Sequence, residues 1–171
     1  IAWVAKDRTI RVLTSGTPEP AVLPGIPMPG ESAGTIDAVL DADHLLVGDY
    51  TRTTGEITPA GFEERTWSEP MWVSDVSPDG ELWAVDLPAG ANEQFGCAGL
   101  YHPGADAVVA RTCDTSYLRF APDGQHLLGS RGDNNMVGEA QVLDLDLQRV
   151  WSSRVSGAVV SRLSWAGDDD L

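Results

Sequence analysis

Lysine is almost absent from this chain: one Lys and ten Arg stand against 26 Asp+Glu in 171 residues, for a formal net charge of −15. A surface this short of clustered cations repels polyanions, which argues against nucleic acid and anionic lipid as partners. Long apolar runs are missing as well. Stretches such as Leu45 to Val47 and Gly157 to Val160 fall far short of the ~18 residues that cross a bilayer, so this segment is expected to insert into no membrane. The 3 His and 2 Cys are scarce, and no two of them have the spacing of zinc ligands. Helical periodicity is nearly absent. It is hinted at only by Ile36, Val39 and Leu40, while 18 Gly and 11 Pro punctuate the chain throughout.

What is present begins with enough apolar residue, 42% of the chain, to bury one core. An internal repeat then organises it. Val76-Ser77-Pro78-Asp79-Gly80-Glu81-Leu82-Trp83-Ala84-Val85 matches Phe120-Ala121-Pro122-Asp123-Gly124-Gln125-His126-Leu127-Leu128-Gly129, with Asp79 and Asp123 44 residues apart. Two degenerate copies flank them. In one, Asp43 of Leu40-Asp41-Ala42-Asp43-His44-Leu45 precedes Asp79 by 36 residues; in the other, Asp168 of Trp165-Ala166-Gly167-Asp168 follows Asp123 by 45.

Pro-Asp-Gly between two β-rich runs reads as a hairpin. Proline presets φ, aspartate bonds the backbone two residues on, and glycine supplies positive φ. A unit of about 44 residues has room for four strands, the size of a propeller blade. The unit opening at Met71 parses as a strand to Val76, a second over Glu81 to Asp86, a third near Gly96 to His102 and a fourth near Ala107 to Thr112. The expected fold is all-β: residues 1–171 form a β-propeller, or part of a larger one, with about four blades of four antiparallel strands. Alignment with the other copies makes Thr35 to Leu40 a strand. The two ends fall at matching points of one repeat, so a split blade is expected. Its first strand comes from the C-terminal end and the other three from the N-terminal end, including Ala2-Trp3-Val4 and Arg8 to Leu13.

The stretch Leu118 to Leu128, then Ser130-Arg131-Gly132-Asp133-Asn134, then Val142-Leu143-Asp144-Leu145-Asp146 resembles the WD-like repeat of TolB-type propellers. That family's unit runs aromatic, Ser-Pro-Asp-Gly, apolar strand, a turn rich in Ser, Arg, Asp, Gly and Asn, then a strand ending Asp-Leu-Asp. Ala121 stands where the family has Ser, and Arg-Gly-Asp replaces Arg-Asp-Gly in the second turn. Val73 to Asp86 resembles the unit's first half, and Asp7 to Val12 resembles a third strand of ordinary WD repeats. The resemblance implies a propeller. Such propellers serve as scaffolds, secretion-associated proteins and peptidase gates alike, so it implies no single role.

Several motifs compete with that frame. Gly30-Glu31-Ser32-Ala33-Gly34 has the letters of a nucleophile elbow, which needs a strand, a strained turn and a helix. Pro24, Pro27 and Pro29 rule out a central strand before it, and a repeat strand follows, so the segment reads as an inter-blade loop. Arg131-Gly132-Asp133, with Asn134, fills the repeat's second turn, where it forms a candidate interaction loop. Asp168-Asp169-Asp170 lacks the alternating pattern and closing Glu of a calcium loop. No cofactor or metal is expected, and no catalytic residue is assigned.

Cys97 and Cys113 flank two strands joined by His102-Pro103-Gly104-Ala105, which brings them together as a candidate disulfide. A bridge implies an oxidising, extracytoplasmic location: periplasmic, cell-surface or secreted. The six Trp are expected mostly to pack between blades. The expected function is a non-catalytic propeller that binds a protein or peptide through its loops. The alternative is the propeller of an enzyme, either a prolyl-oligopeptidase-like gate or a metal-dependent lactonase or lyase type.

Overall fold

The structure, a computed structural model, describes residues 2–5, 9–13, 18–25, 35–49, 52–89, 96–131, 138–154 and 165. Among these residues all regular structure is strand, and no helix is long and apolar enough to cross a membrane. Four antiparallel sheets follow one another along the chain, each an up-and-down meander. This is an all-β, propeller-like fold of about four blades. Two compact units divide it, Ile1–Val73 and Ser74–Leu171.

In the first unit, β1 (Ala2–Val4), β2 (Ile10–Val12) and β3 (Ala21–Leu23) make a three-stranded sheet, in the order β1-β2-β3. The C-terminal strand expected to complete that blade falls in a stretch outside the described residues. The next sheet comprises β4 (Thr35–Asp41), β5 (His44–Gly48), β6 (Thr53–Thr58) and β7 (Gly61–Glu64). The short hydrophobic run Ile36, Val39 and Leu40 is therefore strand, paired through Ile36↔Val47 and Val39↔Leu45. Alternation in β6 puts Thr53, Gly55 and Ile57 inward. Ile10, Val12 and Leu23 of the three-stranded sheet pack against Leu45, Val47 and Ile57 of its neighbour. The apolar faces of two successive sheets thus bury one another.

The second unit repeats the scheme. The sheet of β8 (Trp72–Val76), β9 (Trp83–Leu87), β10 (Cys97–His102) and β11 (Ala107–Thr112) lies within two residues of the parsing drawn from the repeat. The sheet of β12 (Ser116–Phe120), β13 (His126–Arg131), β14 (Glu139–Asp144) and β15 (Arg149–Arg154) follows it. Ala84, Ala98 and Leu100 of the former pack on Leu118, Phe120, Leu127 and Leu143 of the latter. Fully burying a Leu or Phe side chain contributes roughly 1.5–3 kcal/mol, so this seam dominates the unit's stability.

The repeat turns are built as their residues require. Gly80 N–H donates to the Ser77 carbonyl at 2.8 Å, and Gly80 sits at φ 77°. Asp79 Oδ1 accepts the Ser77 hydroxyl at 2.6 Å and the Glu81 N–H at 3.0 Å. In the second copy Gly124 N–H donates to the Ala121 carbonyl at 2.9 Å with Gly124 at φ 66°. Ala121 has no hydroxyl to give, and there His126 Nδ1 lies 2.8 Å from Asp123 Oδ2.

Candidate functional site

Three of the predicted turn positions serve local structure. In the first unit, Asp43 N–H donates to Asp41 Oδ1 at 3.0 Å, closing the tight β4–β5 turn. The hydrogen bond with Asp41 pushes the Asp43 carboxyl up. Asp79 is held below the usual carboxylate range by the Ser77 hydroxyl and the Glu81 N–H, and Asp123 by His126 and the Gln125 N–H. The two Pro-Asp-Gly turns of the second unit are neighbours, since a Cβ on Gly124 would lie 3.4 Å from Pro78 Cδ. Asp168, Asp133 and Asn134 lie outside the described residues, as does Ser32. Arg131 ends β13, its backbone paired with Glu139.

Cys97 and Cys113 form the disulfide. Ala98 pairs with Thr112 across β10 and β11, so the next step outward sets the two cysteines opposite each other, with Cα atoms 4.1 Å apart. Cys97 is buried and Cys113 exposed. The bridge closes the open end of the β10–β11 hairpin, immediately beside Thr112 and Asp114.

Those two residues belong to one wall of a groove of about 310 Å³ in the second unit, the size of a small-ligand pocket, which runs upward from roughly 300 Å³. Arg111 stands on the same wall. The opposite wall is the turn from β14 to β15, with Asp146, Gln148 and Arg149. Asp144 builds that turn: its Oδ1 accepts the N–H groups of Asp146 at 3.0 Å and Gln148 at 2.8 Å. Its own N–H donates to the Gln148 carbonyl at 3.0 Å. Leu147 is forced to φ 58°, a conformation costly for a bulky residue, and its side chain is buried with Leu143 in the seam between the sheets. That burial holds the turn against the strain.

Gln141 and Leu143, on β14, line the groove between these walls. Gln141 is 2% exposed, and its cross-strand neighbour on β13 is Gly129. A Cβ on Gly129 would come within 2.6 Å of Thr115 Oγ1, so the strand leaves no room for a side chain there. Arg149 Nη1 lies 3.3 Å from Oε1 of Glu139, a carboxylate that is itself buried. The groove thus combines both charges with donors and acceptors, on elements held by a disulfide and a hydrogen-bonded turn.

A second charged cluster joins the strands β8, β9 and β12. Asp75 Oδ2 accepts the Phe120 N–H at 2.8 Å, and Arg119 Nη1 lies 4.0 Å from Asp75 Oδ1 while donating to the Ser74 carbonyl. Asp86 accepts the Tyr117 N–H at 3.1 Å. Burial pushes Asp86 up to about 6, against the opposing pull of that N–H and of Arg119, and burial likewise raises Asp75. These carboxylates latch one sheet to the next through backbone N–H groups. Their bonds are structural.

Four of the six tryptophans are buried or half-buried. Trp83 is buried, its ring 5.5 Å from that of Tyr101, but Trp3 and Trp151 are 40% and 54% exposed. Trp151 lies on β15, which among the described residues is an outer strand of its sheet, paired with β14. Sequence reasoning also passed over the groove. Glu139 and Gln141 carried a signal, because both hold inward positions on a strand whose next such residue is Leu143.

Among the described residues, no group of three or more His, Cys, Asp or Glu is placed to hold a metal ion. No family model matches the chain, and no curated protein sequence matches it. Among solved structures, the chain is similar to one titled "Crystal structure of the eukaryotic initiation factor", at 14% identity and a TM-score of 0.48. That alignment covers 89% of this chain and 41% of the other, so the chain spans less than half the length of the protein it resembles.

Proposed function

We propose that the protein is a non-catalytic, extracytoplasmic β-propeller of the TolB-like, WD-like kind that acts as a scaffold binding a protein or peptide. The observation that carries this reading is the groove of about 310 Å³ beside the disulfide, where Arg111, Asp114, Gln141, Asp146 and Arg149 converge from two sheets. Side chains of both charges, with a carboxamide, suit the mixed donors and acceptors of a polypeptide better than a purely anionic or apolar ligand. Stiff sheets beneath adjacent turns keep such groups in place without an ordering cost on binding. The Cys97–Cys113 bridge supports an oxidising location. The net charge of −15 supports partners other than nucleic acid.

The test uses the immobilised protein as bait against the secreted and envelope proteins of its host, with a parallel screen for esterase and peptidase activity. Retention of a defined partner, competed by excess free protein, is the expected outcome. Failure to retain any partner, together with a hydrolase activity lost on Ser32→Ala, would reverse the choice in favour of an enzyme.

A further inference from the structure

The groove is electrically unlike the rest of the chain. Acids outnumber bases 26 to 11 overall, yet the groove is lined by two Arg and two Asp. The signs are also divided evenly, with Arg111 and Asp114 on one wall and Arg149 and Asp146 on the other. A purely anionic ligand would meet two carboxylates here, and a purely cationic one would meet two guanidinium groups. A ligand carrying separated charges of both signs meets a partner for each. These groups are held from behind. Arg149 Nη1 lies 3.3 Å from Oε1 of Glu139, whose side chain is 8% exposed, so a buried carboxylate fixes a guanidinium that has five N–H donors to share. Asp146 N–H donates to Asp144 Oδ1 at 3.0 Å, and Asp114 N–H to Thr112 Oγ1 at 3.2 Å. Both aspartates are exposed, with their main chain pinned at the groove.

We propose that the groove binds a small zwitterion, an α-amino acid, with its carboxylate on Arg149 and its ammonium on the two aspartates. A guanidinium matches both oxygens of a carboxylate in one plane, and an ammonium donates to carboxylate acceptors without needing a fixed direction. Volume decides for a ligand of few atoms, because about 310 Å³ is at the lower end of small-ligand pockets. Leu143 and Leu147 line the same groove and give the ligand's carbon skeleton an apolar surface to rest on. Such a ligand is additional to the protein partner of the scaffold reading, and its detection requires no partner.

The experiment titrates the intact, oxidised protein by calorimetry with each of the common L-amino acids, then with the N-acetyl and carboxamide forms of those that bind. Acetylation removes the ammonium and amidation removes the carboxylate, and each is expected to weaken binding roughly tenfold or more, the loss of one charge-assisted pair. Arg149→Lys keeps a cation beside buried Glu139 but removes the planar fork, and should cost the free amino acid about the same factor. The double variant Asp114→Asn/Asp146→Asn should weaken the free amino acid roughly tenfold and the N-acetyl form little, since that form has no ammonium left to lose. Matching thermal melts of wild type and variants exclude a folding defect. Absence of binding by every amino acid at about 10 mM overturns the proposal, as does equal affinity for free and N-acetyl forms or an unchanged affinity in both variants. Each of these outcomes leaves the scaffold reading standing, which the partner screen decides.

Discussion

Reduction of the Cys97–Cys113 bridge is expected to destabilise the protein by about 3 kcal/mol, the loop-closure value for a bridge of about this span. The two residues are 16 apart in sequence and join the ends of a hairpin already paired from Ala98↔Thr112 to His102↔Ala107. Cutting the bridge therefore leaves the native pairing intact and acts mainly on the unfolded chain, which regains the freedom the closed loop denied it. Cys97 is 1% exposed, so its freed thiol stays in apolar surroundings that suit it. At roughly 2–4 °C per kcal/mol for a chain of this size, the melting temperature should fall by about 6–12 °C. The assay is a thermal melt by far-UV circular dichroism, with and without reductant, beside the Cys97→Ala/Cys113→Ala double variant. Mass spectrometry after alkylation verifies the thiol state of each sample. A fall of less than about 2 °C in fully reduced, fully alkylatable protein would refute the loop-closure reasoning. Alkylation of the untreated protein would refute the bridge itself.

Gly129→Ala should cost at least about 2 kcal/mol, since the new methyl would sit 2.6 Å from Thr115 Oγ1 and 3.1 Å from Leu118 Cδ2; urea midpoints equal to wild type would show that the strand yields there. Gly80→Ala is expected to cost about 1–2 kcal/mol from its φ of 77° alone, because open space surrounds the added methyl. Gly80→Asn should recover part of that in the same melts, asparagine being more tolerant of the left-handed region. Burial raises Asp86 from 3.8 to about 6, so the folded state holds the proton that the unfolded state releases across that window. Its contribution to stability is therefore greatest below pH 3.8 and is lost as pH rises to about 6. Asp86→Asn keeps an acceptor for the Tyr117 N–H and removes the titration. Between pH 4 and pH 7 the stability difference should move in the variant's favour by on the order of 2 kcal/mol, and a pH-independent difference would contradict the assignment.

Much of the architecture was legible in the chain because it depends on interactions close in sequence. Pro-Asp-Gly dictates a turn wherever it occurs, and the turns at Asp79 and Asp123 are closed by bonds within five residues. The strand over Thr35–Asp41 required the repeat as well, since its own hydrophobic spacing admitted a helix. The cysteine pair followed from counting along a hairpin whose two strands must run antiparallel. The turn at Asp144 had no Gly to announce its left-handed residue. Leu147 occupies that position because burial against Leu143 offsets the strain, a compensation no local pattern contains.

By itself, then, the sequence determined the class of fold, the spacing of its sheets, the hairpin turns and the disulfide, all of which arise from backbone preferences and short closed loops. Only the tertiary structure decided what faces what. It brought Arg111 and Asp114 to Asp146 and Arg149 in one groove, which the buried Gln141 also lines. It also buried Asp86 enough to shift its titration, and left Trp3 and Trp151 facing solvent. Such outcomes depend on which sheet packs on which, and burial and charge pairing act through space between residues that the chain keeps about 30 or more positions apart.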